Sequence, residues 1–278
     1  MIPLGSPLVA AVLVGLVASL GAPCAMAQTP AQTVPADQAR VCVDKAGLTQ
    51  LTHPLARVAQ RIANGKPLTI VALGSSSTAG AGASGPAASY PSRLEAELNA
   101  RFPEQPITVI NQGVNGEEAA DMLARFEESV ARHHPDLVLW QVGTNAVLRD
   151  NPLGPIDRLV RNGIARIKAL GADVMLIDPQ FAPKVIAKAD AEDMVNLISA
   201  EAKQENIDLF PRFAIMREWR DRDGIPFEAF LSPDLLHMND WSYACIAKLL
   251  STSISEAATR PFASARAGSV HPAAPHGH

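Results

Sequence analysis

The chain has 278 residues, 47% of them hydrophobic, with 24 Lys and Arg against 28 Asp and Glu for a net charge of −4. That length and apolar content suit one well-buried domain and are short for two. The mild acidity, with no basic run and no aromatic ladder, excludes a polyanion-binding surface, so no nucleic-acid partner is expected.

Residues 1–27 contain no Asp, Glu, Lys or Arg, and positions 8–20 are almost wholly apolar. Ala25, Met26 and Ala27 form the small-x-small pattern of a signal-peptidase site. The pattern predicts a signal peptide over 1–27, a mature chain starting at Gln28, and export to the periplasm or the medium. The apolar core is shorter than the roughly 20 residues of a membrane span, so no stable insertion is expected after cleavage. Cys24 follows Pro23 and is lost with the leader. Residues 28–44 read as a flexible lead-in, rich in Pro, Ala, Gln and Thr. Cys42 and Cys245 then form an even pair in an exported chain. They predict a disulfide tying the N-terminal arm to the last helix, the alternative being two buried thiols.

From 45 to 64, Leu48, Leu51, Leu55, Val58 and Ile62 recur at helical spacing and Gly65 closes the run, which predicts one long helix. Residues 68–73 are apolar and rich in β-branched side chains, the pattern of a buried central strand. That strand runs into Ser75, Ser76, Ser77 and Thr78 and then a glycine-rich turn through Gly80, Gly82 and Gly85. A helix is predicted over 90–102, a strand over 106–110 ending in a turn at 111–116, and a helix over 117–132 with acidic residues in its first turn. A third strand over 136–142 ends in Gly143, Thr144 and Asn145. Beyond it come a helix over 155–170, a strand over 173–178 and a proline-bearing loop over 179–188 suited to wall a substrate site. A helix over 189–205, a short strand over 207–210 and a closing helix over 241–257 complete the domain, read as 45–257. Residues 258–278 read as a disordered tail whose His271, His276 and His278 are solvated rather than metal ligands. Strands alternating with helices predict the α/β class: a three-layer α/β/α sandwich, flavodoxin-like, around a mainly parallel five-stranded sheet.

In such a sheet the carboxyl ends of the strands share one edge, where ligands collect. Four stretches fall there: the serine turn, the 111–116 turn, the Gly143 to Asn145 turn, and a loop in which Asp234 and His237 stand three residues apart just ahead of the closing helix. A hydroxyl nucleophile near the start and an Asp-x-x-His near the end are the parts of a hydrolytic triad.

These four blocks resemble those of the SGNH (GDSL-type) hydrolases, a superfamily of serine esterases and lipases, over about residues 67–250. The first block stands here as Gly74, Ser75, Ser76, Ser77 and Thr78, and the resemblance implies Ser76 as nucleophile. It further implies an oxyanion hole of the Ser76 amide, Gly116 and the Asn145 side chain, with Asp234 and His237 as acid and base. One departure stands out: the family's block-one aspartate is Ser75 here, which leaves the turn differently held and makes Ser75 and Ser77 rival nucleophiles. The implied activity is hydrolysis of carboxylic esters through an acyl-enzyme, without metal or cofactor. Acetylated glycans, lysolipids and short acyl esters are all admissible substrates. An O-acyltransferase acting on envelope glycans shares the same residues, and a binding protein that keeps the fold without turnover is the reading from another class.

Other features are bland. Gly80, Gly82 and Gly85 fit G-x-G-x-x-G but do not follow the strand immediately, and the second strand ends in Asn111 where a dinucleotide site needs an acid. His133 and His134 sit at a helix end where they favour the dipole, Trp140 reads as sheet core, and His53 has no visible partner.

Overall fold

In a computed structural model, residues 42, 44 and 46–260 are described. The expected signal peptide, Cys24, most of the 28–44 lead-in and the tail beyond Arg260 lie outside them. In chain order the elements are α1 (Ala56–Ala63), β1 (Leu68–Gly74), α2 (Ser76–Ala79), α3 (Tyr90–Arg101), β2 (Ile107–Gly113), α4 (Ala119–Ala124), α5 (Phe126–Ser129) and β3 (Leu137–Gln141). They continue with α6 (Thr144–Leu148), α7 (Leu153–Ala169), β4 (Asp173–Ile177), α8 (Pro183–Ile186), α9 (Ala191–Gln204), β5 (Asp208–Phe210), α10 (Arg212–Asp221), α11 (Phe227–Phe230) and α12 (Asp240–Thr259).

The five strands form one parallel sheet in the order β2-β1-β3-β4-β5, with Ile70 opposite both Val109 and Leu137. Every residue of β3, and Ile70 to Gly74 of β1, is buried, as central parallel strands covered on both faces require. Edge strand β2 instead leaves Thr108 exposed between buried Ile107 and Val109. The strand order reverses direction between β1 and β3, and an open sheet places its ligand crevice at that switch point. Trp140 lies fully buried in β3, and its ring is admitted because α7 carries Gly163, where a Cβ would stand 2.2 Å from Trp140 Cη2. No helix among the described residues is long and apolar enough to cross a membrane.

The amino ends of the strands are built for anchorage. Asp136 is fully buried, accepts the Nε–H of Arg57 and of Arg61 at 2.8 Å each, and takes the Thr69 N–H on its other oxygen. Asp173 accepts the Val58 N–H, and the Asp208 carboxylate accepts those of Thr52 and His53. His53 is thus tied to Asp208 through its backbone N–H, with its ring Nδ1 3.5 Å from Asp208 Oδ1 and not hydrogen-bonded to it.

These anchors explain a correction at 45–64. Only Ala56–Ala63 is helical, because Asp44 draws in the N–H groups of Leu48 and Thr49, Gly47 turns left-handed at φ 67°, and Asp208 claims the amides of Thr52 and His53. Leu51 and Leu55 are buried by a wrapped arm, not by a helix face. The helix expected over 117–132 is likewise broken, with α4, α5 and a 3₁₀ turn at Ala131–His133. At the break Arg125 turns its guanidinium onto the Glu117 carboxylate and the Gln112 carbonyl. The short α6, α8 and α11 and the longer α10 lie in stretches where no helix was expected, and α12 runs two residues past 257. Cys42 and Cys245 are bridged, with a Cα–Cα separation of 5.3 Å.

Candidate active site

The turn after β1 is tight. A Cβ at Gly74 would stand 2.1 Å from Thr78 Oγ1, and one at Gly113 would stand 2.1 Å from the Ala79 N, so only glycine admits this approach of β2 to α2. The turn places Ser76 at the first position of α2, where a helix has no backbone acceptor for its N–H. Ser76 Oγ lies 2.8 Å from His237 Nε2, across 161 residues of sequence. His237 Nδ1 lies 2.5 Å from Asp234 Oδ2. With the Nδ1–H donated to the carboxylate, Nε2 is free to accept from the serine.

Asp234 organises its own loop. Its Oδ1 accepts the Ser232 hydroxyl at 2.7 Å and the N–H groups of Leu236 and His237 at 2.9 Å each. Leu235 takes up the left-handed φ of 55° that this curl needs. Partial burial pushes the Asp234 carboxyl up, but the His237 ring, the His237 N–H, the Ser232 hydroxyl and the Leu236 N–H outweigh it and hold the group well below the usual carboxylate range.

The neighbouring serines point elsewhere. Ser75, in place of the family's aspartate, gives both its N–H and its hydroxyl to Gln141 Oε1, at 2.9 and 3.0 Å. Ser77 is buried and turned to Gln180 Oε1. Of the three hydroxyls, that of Ser76 meets the imidazole.

Gly116 and Asn145 share this edge, after β2 and β3. Gly116 is left-handed at φ 80°, and Asn145 Nδ2 donates to the Glu117 carbonyl at 2.8 Å, which leaves its second amide hydrogen to spare. Arg149 donates to the Gly116 carbonyl at 2.8 Å and pairs with Glu118, and Asn151 takes the other Glu118 oxygen. The segment after β3 thus grips the turn after β2. The glycine-rich turn is a packing device: a Cβ at Gly82 would stand 2.5 Å from the Met238 carbonyl oxygen and 2.9 Å from His237 Cβ. Ser84 bonds the Asp240 carboxylate and Tyr243 donates to the Ala81 carbonyl, docking that turn on α12.

Beneath the serine turn lies a buried polar layer that the sequence reading passed over: Gln141, Thr144, Gln180, Arg212 and Tyr90. The available signal was an amide in or just beyond an otherwise apolar strand, Gln141 in β3 and Gln180 after β4. Burial pushes the Tyr90 hydroxyl up to about 12, against its bond to Thr78 and the nearby Arg212, so it is a neutral member of this layer. His133 stands apart, with Nε2 3.2 Å from Gln112 Nε2.

A model of the non-GDSL lipase-like family matches residues 41–260. An arylesterase of Vibrio mimicus is 30% identical over 125 residues, 44% of this chain and 62% of that protein. An acetylxylan esterase of Geobacillus stearothermophilus is 32% identical over 94 residues, 30% of this chain and 43% of that protein. The chain thus matches less than two thirds of the length of either relative. Among solved structures, a two-domain esterase active on acetylated mannans superposes with a TM-score of 0.64 at 21% identity, covering 81% of this chain and 60% of that one. The structure of TesA superposes with a TM-score of 0.58 at 20% identity, covering 68% of this chain and 99% of that one. At these identities the superpositions speak for the fold.

Proposed function

Since the chain belongs to the non-GDSL lipase-like family, among the SGNH/GDSL-like hydrolases, we propose that it is an exported serine esterase that cleaves carboxylic esters through an acyl-enzyme. The observation that carries this reading is the unbroken relay from Ser76 Oγ to His237 Nε2 at 2.8 Å and from His237 Nδ1 to Asp234 Oδ2 at 2.5 Å. In the first half-reaction, Ser76 Oγ attacks the ester carbonyl while His237 takes the hydroxyl proton. Asp234 steadies the resulting imidazolium without itself being protonated. The oxyanion is met by the Ser76 N–H, the Gly116 N–H and the Asn145 side-chain amide, and loss of one such donor typically costs about 3–4 kcal/mol of barrier. His237 then returns the proton to the leaving alcohol. In the second half, water gives a proton to His237 as its oxygen attacks the acyl-serine carbonyl, and His237 returns that proton to Ser76 Oγ as the Oγ–acyl bond breaks and the carboxylic acid leaves.

The leader pattern at 1–27 and the Cys42–Cys245 bridge both support export, because disulfides persist in oxidising compartments. Similarity to an arylesterase, an acetylxylan esterase and an esterase active on acetylated mannans favours small acyl groups, acetyl above all, carried by an aryl or glycan alcohol. The test is peptide mapping after fluorophosphonate labelling, together with turnover of chromogenic esters of rising acyl length. Label on Ser76 and preference for acetyl over long chains are expected. Label on Ser75 or Ser77, or chelator-sensitive turnover with no label, would overturn the reading.

A further inference from the structure

Ser76 and His237 belong to loops far apart in sequence, yet the relay between them tolerates little displacement. Asp234 holds the histidine loop to itself; something else must set that loop against the serine turn. Gln180, 1% exposed, spans the gap. Its Oε1 accepts from Thr144 Oγ1 at 3.0 Å, from Arg212 Nη2 at 3.0 Å and, more distantly, from Ser77 Oγ at 3.4 Å. Its Nε2 donates at 3.2 Å to the carbonyl of Leu236, the residue before His237. One side-chain amide therefore joins the residue after the nucleophile, the residue before Asn145 and the residue before the base.

Arg212 is the unusual element. It is fully buried at the start of α10, where a guanidinium loses its hydration and a hydrophobe of similar size often folds as well or better. Its Nε donates to the Asp178 carbonyl at 3.0 Å, while its Nη1 and the Asp178 Oδ2 have no hydrogen-bond partner among the described residues. Burial pushes the Asp178 carboxyl up to about 7, so near neutrality it is only a partial counter-charge. Of the arginine's two side-chain hydrogen bonds, one goes to the Asp178 carbonyl and the other to the Gln180 oxygen.

We propose that Gln180, fixed and polarised by buried Arg212, is a positioning residue that sets His237 at bonding distance from Ser76. The inference rests on the serine–histidine reading above. A donor to the Gln180 oxygen that is charged strengthens the bond and stiffens the amide plane, so Nε2 holds the Leu236 carbonyl at one height. Displacement by an ångström at a reacting pair is enough to lower a rate by roughly 100-fold.

Two variants separate positioning from folding. Gln180→Met keeps the volume and removes every bond; Gln180→Glu keeps an acceptor for Arg212 and Thr144 but removes the donor to Leu236. Each is measured for thermal midpoint, for kcat and KM on a short-chain chromogenic ester, and for the rate of fluorophosphonate labelling. The expected result is a folded protein with kcat and labelling rate down roughly 10- to 100-fold and KM within about threefold. Labelling and kcat within about threefold of the unsubstituted protein would overturn the proposal, as would a loss of kcat matched by KM. Failure of both variants to fold would make Gln180 a structural residue and overturn it equally. Absence of label on Ser76 in the unsubstituted protein would instead remove the reading beneath it, which the same experiment reports separately.

Discussion

At the scale of single residues, three adjacent serines differ only in what they face. Ser75 and Ser77 spend their hydroxyls on buried glutamines, and Ser76 meets His237. Ser76→Ala and His237→Ala should each remove most turnover, and the double variant should be hardly worse than either, since members of a relay act as a unit. Steady-state kinetics on all three, with Ser75→Ala and Ser77→Ala as mild controls, checks this. Asn145→Ala should lower kcat by roughly 100- to 1,000-fold while still allowing slow labelling of Ser76, because only an oxyanion donor is lost. Asp234 is held ionised well below the usual carboxylate range, so it takes up no proton on the acid limb of kcat/KM, which should fall with a slope of one. A slope of two would mean that the carboxylate also protonates within that limb.

At the scale of elements, the seams matter more than the strands. The glycine-rich turn reaches the histidine loop through Gly82, left-handed at φ 87°, where an added Cβ would stand 2.5 Å from the Met238 carbonyl oxygen. Gly82→Ala should therefore push the two apart and cost activity out of proportion to stability, read as kcat against thermal midpoint. A different seam joins α7 to α9, where Glu201, 4% exposed, bonds Asp157 near Arg161. Burial first, and then the Asp157 carboxylate, push the Glu201 carboxyl up to about 7. A raised carboxyl stabilises the fold in its protonated form, and that contribution is lost as pH rises through the folded value. Glu201→Gln, which cannot ionise, should gain thermal midpoint relative to the unsubstituted chain on going from about pH 5 to about pH 8. A constant difference across that range would refute the assignment.

At the scale of the whole molecule, the two edges of the sheet have divided labour. The amino edge carries Asp136, Asp173 and Asp208, all committed to anchoring the arm and α1. Asp136→Ala removes the acceptor of Arg57, Arg61 and the Thr69 N–H and, with both arginines partly in solvent, should destabilise by roughly 1–3 kcal/mol with kcat unchanged in the folded fraction. Denaturant titration beside kinetics would separate the two effects. The bridge from Cys42 to Cys245 closes the same arm across 203 residues onto α12. Thiol titration of the denatured, unreduced mature protein should find none free, and reduction should remove roughly 2–4 kcal/mol of stability.

Some of this molecule is written locally in its chain. Alternating apolar strands and helices dictate the layered parallel sheet, because burial on both faces leaves a continuous apolar run that is visible in one strand at a time. The site residues were also legible, because a parallel sheet delivers every strand's carboxyl end to one edge, whatever the distance along the chain. The stretches holding Ser76, Asn145, Asp234 and His237 could thus be placed at one edge, while the resemblance to the SGNH hydrolases, and not position, singled out those four residues. Leu48, Leu51 and Leu55 show the limit: helical spacing was present, but backbone amides were claimed by Asp44 and Asp208, and Asp208 lies far along the sequence. Gln141 and Gln180 left only the faint signal of an amide beside an apolar strand, and Arg212 none, since a buried polar side chain is defined by partners elsewhere in the fold rather than by its neighbours in sequence. Local pattern determined which elements exist and which edge carries the chemistry; tertiary structure alone decided which serine meets the histidine and what holds it there, because hydrogen bonds across the sheet have no period along the chain.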